Sequence, residues 1–150
     1  MTAAFLPAQT LSIEEYEPKS TLVVPEHPTL RARFPFIDVH NHQDTAAAPA
    51  DIDQIVRDMD AMNMRVMVNL SGGSGDALAS GVRNWKGRHP RRFVTFANLD
   101  FAGIDEPGWG TRAAGQFERD VRQGGAQGLK IFKNFGLTVN DRKGRVARGR

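Results

Sequence analysis

Two histidines separated by a single residue are the side chains of this sequence whose type and spacing best suit metal binding. Asp38, His40 and His42 occupy alternating positions at the end of an apolar segment. Alternating residues of a strand share one face, about 6.6 Å apart, so the two imidazoles can converge on one ion with N–metal distances of about 2.1 Å. Asp38 is placed either to orient an imidazole or to support the histidines from behind. Spacing alone leaves a second interpretation open, in which both histidines only make hydrogen bonds at the end of a strand.

Four apolar segments and three amphipathic segments alternate along the chain and would position these histidines. The predicted strands are residues 36–40, 65–70, 93–99 and 129–132. The predicted helices are residues 51–63, 76–88 and 111–123. The strand segments are apolar on both faces, as in a parallel sheet that is covered on both sides. Strand starts about 30 residues apart match the length of a βαβ unit. The sequence therefore predicts an α/β fold of parallel (β/α) units.

The regions on either side of these units differ from them in composition. Residues 1–35 contain five prolines and are predicted to form an irregular extension, in which residues 21–24 could form a short edge strand. Residues 36–140 hold the predicted strand–helix units. Residues 141–150 carry five basic side chains against one acid and are predicted to be a solvated basic tail or a loop.

Composition narrows the classes of protein to which the chain can belong. It has no cysteine, which excludes disulfides, thiolate metal ligands and a cysteine nucleophile. No apolar run approaches the ~20 residues that a membrane-spanning helix needs, and the first nine residues lack the basic residue of a secretory signal. The net charge of +3 is mild. We therefore expect a small-molecule substrate, not nucleic acid or a membrane, and a cytoplasmic location by default.

The run Phe-Pro-Phe-Ile-Asp-Val-His-Asn-His at residues 34–42 resembles the Asp-x-His-x-His opening strand of amidohydrolase-superfamily enzymes. Within that superfamily it is most similar to the amidohydrolase-2, or amidohydrolase-related, branch. Residues 128–136, Gly-Leu-Lys-Ile-Phe-Lys-Asn-Phe-Gly, resemble the fourth strand of that branch, and residues 17–22 and 24–26 resemble a lead-in of some bacterial members. The resemblance covers most of residues 14–145, and its sharpest part is the histidine strand.

This resemblance implies the first half of a TIM (β/α)8 barrel with the chemistry of a metal-dependent hydrolase. It implies that His40 and His42 bind a divalent metal ion, usually zinc, and that a metal-activated water attacks a C–N or C–O bond. Lys130 best matches the fourth-strand lysine that is carboxylated and bridges two metal ions in parts of the superfamily. The family's general-base aspartate lies on a later strand and is expected beyond residue 150. Some relatives in this branch are decarboxylases that use the same ion, and the sequence leaves both reactions open.

Three further side chains are predicted to contact a substrate. Asn98 and Asp100 end the third predicted strand, on the same rim as the histidines, although both residue types also commonly terminate strands. Lys133 follows the fourth predicted strand closely enough to reach a substrate carboxylate, and its alternative is a lysine that extends into solvent. The chemistry of the substrate itself stays open.

A non-enzymatic binding protein is the alternative from another class. The loop at residues 71–76, Ser-Gly-Gly-Ser-Gly-Asp, opens a predicted helix, where backbone N–H groups could hold an anion. The favoured interpretation of this loop is instead a flexible connection at the rim of the site. Such a module would be a doubly wound sheet, complete at 150 residues and monomeric. A half-barrel would instead expose two strand edges, and we expect it to self-associate through them.

Overall fold

Four parallel strands and three helices alternate along residues 12–25 and 27–147, which a computed structural model describes. The elements are β1 (Phe36–Asn41), α1 (Pro49–Met62), β2 (Met64–Asn69), α2 (Gly75–Arg88), β3 (Phe93–Asn98), α3 (Trp109–Arg122) and β4 (Gly128–Lys130). The strands lie in sequence order, each parallel to its neighbour, in a sheet that curls into half a barrel. The predicted α/β fold of parallel (β/α) units is confirmed.

The helices cover one face of the sheet and bury its apolar side chains. Six buried side chains of α1, β2, α2 and β3 form the larger core: Ile52, Val56, Met59, Met67, Trp85 and Phe93. A smaller cluster joins Leu78 of α2 to Ala97 of β3 and to Ala126. Full burial of one such large apolar side chain contributes about 1.5–3 kcal/mol. The helices are therefore held to the sheet mainly through its two central strands.

The burial pattern of β3 shows which face the helices leave open. Its residues alternate between buried and half-buried along the strand, and successive side chains point to opposite faces. Phe93 and Ala97 lie under the helices, whereas Phe96 and Asn98 point to the other face. In β3, that second face is the more accessible one.

Helix α1 begins two residues earlier than the predicted start at residue 51. Pro49 occupies its first turn, where a missing backbone N–H costs nothing because no partner exists for it there. Asp51 lies in the same turn, and its charge is favourable at the positive end of the helix dipole. Asn63 ends the helix with a left-handed backbone, φ 69°, and its N–H bonds to the carbonyls of the last turn.

Strand β1 is more exposed than its sequence predicts. Ile37 is 56% exposed and Val39 is 69% exposed, so the prediction of cover on both faces is wrong for this strand. The reason is its position, because β1 pairs with β2 on one side and with no described strand on the other. Unpaired strand edges with exposed apolar side chains favour association. Self-association through the edges of the sheet stays a prediction.

Two other segments differ from their predicted structure. Residues 21–24 form no strand, and their apolar side chains are exposed, since no described strand lies beside them. β4 covers Gly128–Lys130 instead of residues 129–132, because only these three residues pair with β3. The chain turns immediately afterwards.

Both flanking regions are described in part. The predicted extension is described from residue 12 and without Glu26, and its end is attached to α1 by a hydrogen bond from the N–H of Ala32 to the carbonyl of Met62. The predicted basic tail is described only to residue 147, and residues 140–146 form a tight turn closed by an antiparallel bridge. Residues 1–11, 26 and 148–150 lie outside the described part. None of the described helices has the length and apolar character needed to cross a membrane.

Asp53 of α1 joins the end of α2, and this contact predicts a pH dependence of stability. The Arg88 guanidinium, and then the His89 imidazole at 2.7 Å, hold the pKa of Asp53 at about 2, below its usual 3.8. A carboxyl with a depressed folded-state pKa stabilises the fold above its unfolded pKa. That contribution is lost as the pH falls from about 4 to about 2.

We therefore expect Asp53→Asn to lower the melting temperature at pH 5 and to lower it less at pH 2.5. Thermal unfolding followed by circular dichroism at both pH values measures this difference. Asp58→Asn is the matched control, because Asp58 lies on the same helix and, among the described residues, its side chain bonds only to Gln54. If Asp53→Asn lowers the melting temperature as much at pH 2.5 as at pH 5, the assignment is contradicted.

Candidate metal centre

The rings of His40 and His42 lie next to each other at the carboxyl end of β1. Their centroids are 5.2 Å apart with an interplanar angle of 67°, and both residues are exposed. An ion bound to an imidazole nitrogen at about 2.1 Å lies about 3.2 Å from the ring centre, so two rings at a tetrahedral angle have centres about 5.3 Å apart. The observed separation fits two ligands of one ion.

The surroundings of His42 leave one of its ring nitrogens free for such an ion. Its Nδ1 lies 2.8 Å from the hydroxyl oxygen of Ser71, in the loop after β2. In the tautomer that carries the proton on Nδ1, the ring donates to Ser71, and Nε2 is the available metal ligand. A hydrogen bond of this kind from the second nitrogen fixes the orientation of metal-binding histidines. The sequence placed Ser71 in a loop at the rim of the site but did not predict this contact.

Phe132 also approaches His42, with ring centroids 5.6 Å apart. It follows β4, whereas His42 follows β1, so the contact joins residues beyond the two outer strands of the sheet. Four strands laid flat would separate these positions by about 14 Å. The contact therefore needs both the curl of the sheet and side chains that point across its carboxyl edge.

Asp38 does not orient an imidazole, contrary to the expectation from its spacing. The pairing register of β1 with β2 shifts between Asp38 and Asn41. Hydrogen bonds from the N–H of His40, at 2.9 Å, and from the side chain of Asn41, at 2.8 Å, lower the pKa of Asp38. Asp38 thus fixes the backbone that carries His40.

Asn69, at the end of β2, connects the two loops that meet at His42. Its side chain is buried, with 4% exposed. Its Oδ1 accepts the N–H groups of Gln43 and Ser71, at 3.1 and 3.0 Å, and its Nδ2 donates to the carbonyl of Gln43. Asn69 therefore holds both Gln43, which follows His42, and Ser71, which contacts the His42 ring. The same pattern, an asparagine that closes an apolar strand, made Asn98 a candidate and could have indicated Asn69.

Helix α2 holds the segment that follows the histidines. The Asn84 amide donates to the carbonyls of Thr45 and Ala47, and the Trp85 indole donates to the carbonyl of Asp44 at 3.0 Å. Gly81 lies so close that a Cβ there would be 2.6 Å from the Cβ of Thr45. The segment at residues 44–47 is therefore attached to a helix distant in sequence. No sequence pattern predicts this contact.

Asn98, predicted to bind substrate, is engaged in the fold. Its Oδ1 accepts the N–H of Gly73 at 2.8 Å, and its Nδ2 donates to the carbonyls of Leu70 and Lys130 at 2.9 and 3.1 Å. Its side chain thereby joins the carboxyl ends of β2, β3 and β4. Asp100 is exposed and accepts the N–H of Ala102 at 2.8 Å, which is a local turn contact.

The two candidate lysines have different environments. Lys130 is half-buried in β4 and is paired with Asn98 of β3, so it points to the face that the helices leave open. A Cβ at the neighbouring Gly128 would lie 2.5 Å from the Phe96 ring, which covers that face beside Lys130. Lys133 lies in the turn after β4 and is exposed, so the prediction that placed it near a longer strand is corrected.

Most backbone N–H groups of the loop at residues 71–75 already donate hydrogen bonds to other residues of the chain. Those of Ser71 and Gly73 are donated to asparagine side chains, and that of Gly72 to the carbonyl of Phe96. The N–H of Gly75, at the start of α2, is donated at 2.8 Å to Oδ1 of Asp120, a buried residue of α3. A carboxylate of the chain itself thus occupies the helix end where an external anion was one expectation.

The described residues hold the two imidazoles but no group of three or more His, Cys, Asp or Glu side chains that could bind a metal ion. Zinc in catalytic sites usually takes three protein ligands. The pair alone would therefore supply only two of these ligands.

No protein-family model, no curated protein and no solved structure matches the chain.

Proposed function

We propose that the chain carries the first two metal ligands of a metal-dependent hydrolase of the amidohydrolase-related type, built on a TIM-barrel plan. One observation carries the proposal: the exposed rings of His40 and His42 lie 5.2 Å apart, the separation expected for ligands of one tetrahedral ion. Their position at the carboxyl end of a parallel strand supports it, because (β/α) barrels carry their active sites there. The ion we propose is Zn²⁺.

Each residue around the pair has a defined task in this proposal. A bound divalent ion would supply a more acidic water and polarise the bond to be cleaved. His42 offers Nε2 while Ser71 holds Nδ1, and Asn69 keeps the two loops in register. Lys130 is the candidate for a second metal contact. Further ligands and the general base are assigned to none of the described residues.

Substrate contact in this proposal falls to the exposed side chains of the rim. Lys133 carries a positive charge that can attract a substrate carboxylate, and Asp100 keeps one carboxylate oxygen outside its turn contact. Asn98 is a positioning residue instead, since both of its polar groups are engaged. A decarboxylase would use the same ligands, and activity assays on carboxylic acids and on amides or esters separate the two reactions.

The occupied N–H groups count against the alternative of an anion-binding module. An anion at residues 71–75 would have to displace Asn98 from Gly73 and Asp120 from Gly75. Breaking buried hydrogen bonds of this kind costs about 1–3 kcal/mol for each group left unpaired.

Histidine ring spectra recorded by ¹⁵N NMR during a Zn²⁺ titration test the proposal. We expect the ring signals of His40 and His42 to shift together and to saturate, while those of His27 and His89 stay in place. His27 is exposed in the extension and His89 is bonded to Asp53, so both serve as internal controls. A titration that leaves His40 and His42 unchanged, or that moves all four rings alike, would rule the proposed metal site out.

A further inference from the structure

Four arginines line a cavity at the opposite end of the sheet from the histidines. The cavity has a volume of about 450 Å³ and lies where β2 and β3 begin and α1 ends. Its charged lining residues are Arg31, Arg65, Arg91, Arg92 and Asp60. Small-molecule pockets typically measure about 300–1,000 Å³, so the space suits a compact ligand.

Two of these arginines are held by the fold. Arg92 donates to the carbonyls of Met64 and Arg65, both at 3.0 Å, and pairs with Asp60 at 2.7 Å. Its side chain is only 20% exposed. Arg31 donates to the carbonyls of Asp60 and Ala61 at the end of α1, where a positive charge offsets the helix dipole. These contacts give the cavity a rigid positive wall.

The other two arginines, Arg65 and Arg91, are not held in this way. Both are exposed, and neither side chain makes a hydrogen bond or ion pair with another residue of the described ranges. Four guanidinium groups face one carboxylate, a charge excess of 4 − 1 = +3 in the lining. Because Asp60 is already paired with Arg92, the positive charges of Arg65 and Arg91 remain available to a negatively charged ligand.

We propose that this cavity binds a soluble, multiply charged oxyanion, namely the diphosphate group of a small molecule, through Arg65 and Arg91. Guanidinium groups bind phosphate oxygens with paired, charge-assisted hydrogen bonds. Two guanidinium groups can each pair with one phosphate of a diphosphate. The site is separate from the histidines and does not depend on the proposed hydrolase function.

Calorimetric titration of the whole chain with inorganic pyrophosphate tests this site, at fixed ionic strength and without metal ions. We expect saturable binding of one pyrophosphate per chain. Arg65→Gln/Arg91→Gln should weaken it at least about tenfold, since each charge-assisted hydrogen bond is worth roughly one order of magnitude in affinity. Circular dichroism checks that the variant is folded. If the double variant does not fold, the two single variants should each weaken binding by severalfold.

The matched control is Arg83→Gln/Lys143→Gln, which removes two exposed positive charges from outside the cavity lining. Its affinity for pyrophosphate should stay within about twofold of the parent, because screened surface charges contribute little. Equal weakening in both double variants would overturn the proposal, as it would reflect net charge alone. Binding seen only with vesicles of phosphatidic acid in phosphatidylcholine, and not with pyrophosphate, would overturn it as well.

Discussion

Replacing both His40 and His42 with alanine is expected to lower the affinity for Zn²⁺ by more than about 100-fold, because even the loss of a group that only orients a ligand costs about 10–100-fold. The two rings supply all the imidazole nitrogens at this rim of the described sheet. Both are exposed, so their removal leaves no cavity and should hardly change stability. Competition against a fluorescent zinc chelator measures the affinity.

Ser71→Ala tests the contribution of the hydroxyl that contacts His42, separately from that of the two imidazoles. It removes the oxygen that lies 2.8 Å from Nδ1 of His42 and leaves both imidazoles in place. We expect a loss of about 10–100-fold in zinc affinity, between the parent and the double histidine variant. His27→Ala is the control, because it removes an exposed histidine of the extension. The proposed site fails if His27→Ala weakens binding as much as the double variant does.

Asn98→Ala should destabilise the fold by about 2–4 kcal/mol, because it deletes three hydrogen bonds and leaves backbone groups of three segments without a partner. The side chain bonds to Gly73, Leu70 and Lys130. For a chain of this size the melting temperature would fall by about 5–15 °C. Urea unfolding followed by fluorescence of the two tryptophans measures the free energy.

Two further variants make this result diagnostic. Asn98→Asp keeps an acceptor for Gly73 but turns a carboxylate oxygen towards two carbonyls, so it should be at least as damaging as alanine. Asp100→Ala, two residues later in an exposed turn, should cost less than about 1 kcal/mol. If Asn98→Ala unfolds like the parent, its bonds add nothing to stability, and Asn98 returns to the candidates for substrate contact.

The order of strands and helices could be predicted because apolar periodicity reports burial directly. Segments such as Ile52 to Met59 repeat every three or four residues, and this face does bury against the sheet. Periodicity cannot tell whether a strand has neighbours on both sides. Ile37 and Val39 are as apolar as a central strand requires, yet they are exposed because β1 stands at an edge.

The closeness of the two histidines could be predicted from the sequence, whereas the residues that hold the segments around them could not. His40 and His42 are separated by one residue, so strand spacing already places their rings near each other. Ser71, 29 residues from His42, and Asn84, more than 35 residues from the loop it holds, reach the site only through tertiary contacts. Asp38 accepts a hydrogen bond from the backbone of His40 and not from its ring, a choice that strand spacing does not determine.

The carboxylate of Asp120 at the start of α2 makes neighbouring strand–helix units dependent on each other. The second unit lacks a side-chain cap of its own and takes one from the third. A grafting experiment that moved the second unit alone into a foreign barrel would leave this helix end bare. Any transplanted block that keeps this helix end capped must therefore include both β2–α2 and β3–α3.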